Sequence, residues 1–135
     1  MYLIDTNVIS ELRKKSRINS GVKAFFQQPK TVYISVITLG ELRRGVDLIK
    51  YRGDIQQAQL LENWLQIILK DYKNNILDFG IEETQVWGHL RVPHYENSID
   101  KQISATALTH DLILVTRNIR DFASIQGLSL FNPFK

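Results

Sequence analysis

The apolar and polar positions of this 135-residue chain fall into short blocks whose period changes along its length. Tyr2-Leu3-Ile4 is an apolar run that stops at Asp5-Thr6-Asn7, the pattern of a buried strand followed by capping residues. Val8 to Arg13 has the pattern of a short helix, and Lys14-Lys15-Ser16-Arg17 that of a basic loop. Ser20 can cap a helix carrying Val22, Phe25 and Phe26, which Pro29 ends. The β-branched and aromatic run Thr31-Val32-Tyr33-Ile34 predicts a second strand. After Ser35, residues Leu39, Leu42, Val46 and Ile49 recur at helical spacing. Ala58, Leu61, Leu65 and Ile68 repeat the stripe beyond a break at Gly53-Asp54, so two amphipathic helices form a hairpin.

The second half continues the alternation. Ile76 to Phe79 predicts a third strand, and Glu82 to Arg91 a helix stopped by Pro93. Asn97 or Ser98 caps a helix that turns Ile99, Ile103 and Ala107 inward. Leu112 to Thr116 is the strongest strand pattern in the chain, Asn118 to Ala123 predicts a turn, and Leu128 to Phe131 a last short strand. Strands alternating with helices from end to end predict one α/β layered domain over residues 1–135, with a mainly parallel sheet of four to five strands.

Composition changes this picture only by exclusion. Hydrophobic residues at 44% and charged residues at 23% rule out general disorder and a coiled coil. No apolar run reaches the length of a bilayer span, and Tyr2-Leu3-Ile4-Asp5 lacks the basic start of a secretory signal. With no cysteine, neither disulfides nor thiolate metal sites exist. A cytoplasmic protein with no membrane attachment is expected. The 17 basic and 14 acidic residues give a net charge of +3, which permits a nucleic-acid partner without requiring one.

In open parallel sheets, ligands bind beyond the carboxyl ends of the strands. That rule selects Asp5, Ser35 and Thr116-Arg117-Asn118. Glu41 lies two turns into the helix after the second strand, Asp100 in the first turn of its helix, and Asn118 and Asp121 in the turn after the fourth strand. Each has an ordinary reading by itself. Asp5 and Asp121 can cap helices, Glu41 can pair with Arg44, and Asp100 is favoured by the helix dipole. Carboxylates gathered without intervening cations, however, repel one another and hold a divalent cation.

The segments Tyr-Leu-Ile-Asp5-Thr-Asn-Val-Ile-Ser, Ser35-Val-Ile-Thr-Leu-Gly-Glu41-Leu, Asp100-Lys-Gln-Ile-Ser-Ala-Thr-Ala and Thr116-Arg-Asn118-Ile-Arg-Asp121-Phe occur in the order of the PIN-domain family. Within that family the chain resembles the VapC toxins of bacterial toxin–antitoxin pairs, and its ending Phe131-Asn-Pro-Phe resembles the FitB-like branch. The resemblance covers essentially the whole chain. It implies a three-layer α/β/α sandwich with a projecting helical hairpin, and a Mg²⁺- or Mn²⁺-dependent endoribonuclease that slows translation until a cognate antitoxin restrains it. Asp5, Glu41 and Asp100 match the acidic core. The resemblance implies that Asp5 and Asp100 are direct metal ligands, that Glu41 is a ligand or the water-orienting base, and that Asp121 reaches the metal through water. Asn118 stands where a fourth acid is common, and Lys101-Gln102 replaces smaller or apolar residues. Lys101 can screen the cluster or touch phosphate.

Thr6 and Thr116 can position water or ligands through their hydroxyls, or simply bond to nearby backbone. Arg13, Lys14, Lys15, Arg43 and Arg117 are candidate RNA contacts, since an RNA backbone is drawn in by cations. His89, His94 and His110 have no ligand spacing, and no Gly-rich phosphate loop or serine-hydrolase elbow occurs. Trp64 packs in its helix or lies on a dimer face. The resemblance implies a homodimer, and an apolar antitoxin helix is expected to lie across the Leu42–Leu69 hairpin. Two alternatives remain. One is a catalytically degenerate PIN fold that grips RNA or a partner, favoured by Asn118. The other is a phosphohydrolase of the haloacid-dehalogenase type, weakened by Asn7 where that class carries a second Asp.

Overall fold

A computed structural model describes residues 1–135. Five strands, β1 (Tyr2–Ile4), β2 (Val32–Ser35), β3 (Ile76–Leu77), β4 (Ile113–Val115) and β5 (Leu130–Phe131), form one sheet in the order β3-β2-β1-β4-β5. Every neighbouring pair is parallel. The sheet therefore has the five strands that the alternation predicts and no antiparallel edge. Parallel strands need helical crossovers, which cover both faces. The helices are α1 (Thr6–Glu11), α2 (Ser20–Gln27), α3 (Val36–Tyr51), α4 (Ile55–Asp71), α5 (Ile81–Leu90), α6 (Ser98–Thr109) and α7 (Ile119–Phe122).

Side-chain alternation along the strands builds two cores. Ile4, Val32, Ile34 and Val115 face α1 to α4, where they meet Val8, Ile9, Val22, Leu42 and Leu65. Leu3 and Leu114 face the other way, onto Ile103, Ala107 and Phe122. This is the three-layer arrangement. Phe122 is 1% exposed and anchors α7, a four-residue helix with too few internal hydrogen bonds to stand alone.

Several element bounds differ from the periodicity. The first helix begins at Thr6, because the Asp5 carboxylate accepts the Thr6 N–H at 2.8 Å and caps it. The basic segment forms a 3₁₀ turn over Leu12–Arg17 instead of a loop. The predicted turn after β4 contains α7. β3 and β5 are two residues each, since each has only one neighbour to pair with at a sheet edge. Gly53, at φ +93°, makes the left-handed turn between α3 and α4 that a side chain would strain. At the other end, a Cβ on Gly21 would lie 1.9 Å from the Pro133 carbonyl oxygen, so glycine lets the C-terminal segment close on α2.

Candidate active site

Strand register creates the centre. Ile4 pairs with Val115, so the next residue on each strand, Asp5 and Thr116, emerge side by side at the carboxyl end of the sheet. The Asp5 N–H donates to the Val115 carbonyl at 2.9 Å. The Thr116 hydroxyl donates to Asp5 Oδ2 at 2.9 Å and accepts the Asn118 N–H at 3.0 Å. Asn7 completes the knot. Its Nδ2 donates to Asp5 Oδ2 and to Thr116 Oγ1, each at 3.3 Å, and its Oδ1 accepts the Arg117 N–H at 3.0 Å. One amide thus ties the loop after β1 to the loop after β4.

Asn7 was not among the predicted site residues. Its signal in the sequence is only an amide two positions after an acid at a strand end. The residue it binds is 109 positions away, which no local pattern encodes. Thr6 contributes its backbone N–H, bonded to Asp5 Oδ1, and its side chain lines the hollow beside Glu41.

The remaining acids come from the body of α3, the first turn of α6 and α7. Ser35 caps α3 by accepting the Ile37 N–H at 3.0 Å, which fixes the helix that carries Glu41. Asp100 sits in the first turn of α6, where its carbonyl accepts the Ser104 hydroxyl at 2.8 Å. Asp100 and Asp121 line one hollow together. Burial raises the pKa of Asp100, and repulsion from Asp5, Asp121 and Glu41 raises it further. Burial likewise raises Asp5, against the opposing bonds from Thr116, Thr6 and Asn7, with the charge of Asp121 adding to the rise. Four carboxylates therefore share one electrostatic neighbourhood, and none forms a salt bridge. Glu41 does not pair with Arg44.

Their chemistry suits a divalent cation. All-oxygen donors without a paired base are what Mg²⁺ or Mn²⁺ takes. No three acidic or histidine side chains stand close enough together to hold a metal ion between them. That geometry is compatible with Mg²⁺, which keeps several waters and needs only one or two direct carboxylates. The Asn118 side chain makes no hydrogen bond; its N–H supports Thr116.

The basic candidates separate by their partners. Arg43 grips Glu62 on α4 through two bonds of 2.6 and 2.8 Å and also reaches Asp47, so it ties the hairpin together. Lys14 pairs with Glu11 at 2.9 Å. Lys101 donates to the His94 carbonyl and so ties α6 to the preceding loop. Lys15 is exposed without a carboxylate partner. The Arg13 guanidinium lies 5.8 Å over the Trp64 ring, and that of Arg117 lies 4.8 Å over Phe134. Trp64 is thus a ring under a cation beside the site. His110 meets Glu83 at 3.1 Å, far along α6 from Asp100.

This arrangement agrees with the sequence comparison. Residues 2–128 match the family model for the PIN domain. The chain belongs to the PIN-domain family. It is 34% identical over 142 residues to the toxin FitB of Neisseria gonorrhoeae, covering 99% of each chain. It is 31% identical over 133 residues to ribonuclease VapC1 of Rickettsia felis, covering 95% of this chain and 92% of that one. The crystal structure of FitAcB from Neisseria gonorrhoeae superposes with a TM-score of 0.84 at 32% identity, covering 98% of both chains. The FitB-like and VapC resemblance of the motifs is therefore matched along the whole PIN fold. No helix of this PIN domain is long and apolar enough to cross a membrane.

Proposed function

We propose that this PIN domain is a Mg²⁺- or Mn²⁺-dependent endoribonuclease, the toxin of a toxin–antitoxin pair. The observation that carries the reading is the Asp100 carboxyl, raised by burial and by three other carboxylates that no lysine or arginine neutralises. Like charges held together at a cost in stability mark a site built for a cation. Its membership beside proteins named as a ribonuclease and a toxin supports the same substrate class.

Asp5 and Asp100 would hold the cation, with Glu41 as a third ligand or the group that orients the attacking water, and Asp121 acting through water. A divalent cation held by these carboxylates would supply charge neutralisation at a phosphodiester and a lowered pKa for a bound water. The chain's own residues do the rest. Thr116 and Asn7 fix the rotamer of Asp5, and Thr6 holds its second oxygen. Arg13 and Arg117, free of carboxylate partners, supply positive charge for the flanking RNA backbone.

A toxin must be restrained in the cell that makes it, so a cognate antitoxin is the expected partner. The hairpin exposes Leu60 and Ile67 on one face of α4, an apolar patch suited to an antitoxin helix or to a second copy in a homodimer. Intact Asp5, Glu41 and Asp100 weigh against a degenerate RNA binder. The test is cleavage of a mixed cellular RNA pool with Mg²⁺, Mn²⁺ or chelator, by wild type and Asp100→Asn. Discrete fragments that need metal and vanish in the mutant are expected. Intact RNA in every lane, with no metal affinity, would leave only the binding reading.

A further inference from the structure

β5 ends at Phe131, which pairs with Val115 of β4, and the Thr116 N–H donates to the Phe131 carbonyl at 2.9 Å. The segment after β5 therefore leaves the sheet at the same edge as Thr116 and Arg117. It is fixed there residue by residue. Asn132 Oδ1 accepts the Phe134 N–H at 3.0 Å, the turn an Asn side chain makes with backbone two residues on. Pro133 lies against Gly21. Asn19 clasps Lys135 from both sides, accepting its N–H at 3.1 Å and donating to its carbonyl at 2.9 Å. Buried Glu11 in turn accepts the Asn19 N–H at 2.8 Å.

This frame leaves the Phe134 ring packed on the core and covered by the Arg117 guanidinium, 4.8 Å from its centroid. Arg117 is thereby held at both ends, by the ring and by the bond of its N–H to Asn7 Oδ1 at 3.0 Å. It follows Thr116, which bonds Asp5, and it lines a hollow of about 590 Å³ with Asn118 and Asp121. Arg120, the other cation of that hollow, has no ring beneath it.

From this geometry we infer that Phe134 is a positioning residue for the RNA strand: it holds Arg117 ready to take the phosphate adjoining the scissile one. The inference rests on the nuclease reading of the carboxylates. A carboxylate partner would fix an arginine equally well but would neutralise it, as Glu62 does to Arg43. An aromatic face orients the guanidinium and leaves its charge and its N–H donors available. Glu11 is the acid near enough to compete. Its oxygens are occupied by Lys14 at 2.9 Å and by the Asn19 N–H, and Lys14 does most to lower its pKa, Arg117 least. An exposed arginine otherwise spreads over many rotamers, and ordering it weakens binding. The ring removes that cost before RNA arrives, and the planar guanidinium suits a phosphate.

The test is a double-mutant cycle in the full chain, read as kcat/KM with Mg²⁺ on a short single-stranded RNA containing one cut site. Phe134→Leu should lower kcat/KM roughly 2- to 5-fold, the worth of an exposed cation–ring contact, and Phe134→Trp should restore it. Arg117→Ala should lower it about 10-fold, as loss of a charged hydrogen bond does. In the Arg117→Ala background, Phe134→Leu should cost nothing further. A neutral methylphosphonate linkage walked along the RNA should slow the wild type at one position beside the cut, and Arg117→Ala should lose that sensitivity. Thermal melts check folding, and Phe134→Met takes the place of a Phe134→Leu that does not fold. An equal loss from Phe134→Leu with and without Arg117 makes the ring a packing residue and overturns the inference. So does a methylphosphonate pattern unchanged by Arg117→Ala, the outcome if a protein carboxylate is this arginine's partner. If the wild type cuts no RNA, the same cycle is read as affinity for that RNA in chelator. Coupling between the two residues then keeps the positioning role while the nuclease reading falls, and its absence overturns both.

Discussion

The Thr116 hydroxyl donates to Asp5 Oδ2 at 2.9 Å, joining the ends of β1 and β4 across 111 residues of chain. The bond helps hold a buried carboxylate in one rotamer, with the Thr6 N–H on its other oxygen. Thr116→Val keeps the shape and removes the donor. Outer-shell partners of this kind are worth about 10- to 100-fold in metal affinity or activity. Cleavage by Thr116→Val should fall within that range, and Thr116→Ser should recover most of it. Steady-state kinetics with Mg²⁺ decides. Equal loss in both variants would mean that methyl packing, not the hydrogen bond, is what matters.

Asp5 and Asp100 are both raised above the ordinary aspartate value, chiefly by burial. The folded state therefore binds more protons than the unfolded state in the window between the ordinary value and the raised one. Stability in chelator should fall as pH rises through that window and be highest below it. Asp100→Asn should flatten part of this slope and melt higher than wild type near pH 7 while losing cleavage. Adding Mg²⁺ should stabilise the wild type and not the mutant. Thermal melts across pH 4 to 8, with chelator or Mg²⁺, measure all three effects.

Glu83 shows the opposite sign. Burial works to raise its carboxyl, but bonds from its own N–H, the Gly80 N–H and His110 outweigh it and leave the pKa lowered. Its contribution is present above the unfolded carboxylate value and is lost as pH falls through the lowered one. Glu83→Ala leaves the α5 cap and His110 without their acceptor and should cost about 1–3 kcal/mol near neutral pH, shrinking in acid. Chemical denaturation at pH 7 and at pH 3 tests this. The same cost at both would show that packing, not charge, is responsible.

Thr38 is fully buried, and its hydroxyl has no hydrogen-bond partner. Valine has nearly the same shape without the unsatisfied group. Thr38→Val should therefore be neutral or stabilising by about 1 kcal/mol, with RNA cleavage unchanged. A clear loss in the denaturation midpoint would reveal a bond from that hydroxyl, one formed through a water or a shifted rotamer.

Arg43 and Glu62 are locked together, and the Glu62 carboxyl is held down at about 2 chiefly by that guanidinium. An arginine so engaged is not available to phosphate. Arg43→Ala should change kcat/KM by less than about threefold, whereas Arg13→Ala should reduce it more strongly, as loss of an uncompensated phosphate contact does. Comparing the two under the same salt conditions separates a hairpin strut from an RNA contact.

Much of the fold was readable before any coordinates. Alternating strand and helix patterns placed all five strands, and the break at Gly53-Asp54 marked the hairpin. Periodicity is a local property, written in neighbouring residues. Strand-end position singled out Asp5, because an acid closing an apolar run is itself a local anomaly, whereas Glu41, Asp100 and Asp121 stood out only together, through the order of motifs they share with the PIN-domain family. Strand lengths were less legible, since Leu112–Thr116 narrows to Ile113–Val115 only when its partners are in place.

What the order of residues could not contain was partner choice. Lysine and arginine side chains are long, and several acids lie within reach of each. Only the packed chain shows that Arg43 takes Glu62 and that Lys101 turns to the His94 carbonyl. It also shows Arg13 lying over Trp64. Asn7 is the clearest case. As a letter it is an ordinary residue in a first helical turn. Register between β1 and β4 brings Thr116 and Arg117 to it, and that non-local pairing turns a helix-start amide into the link between two halves of the site.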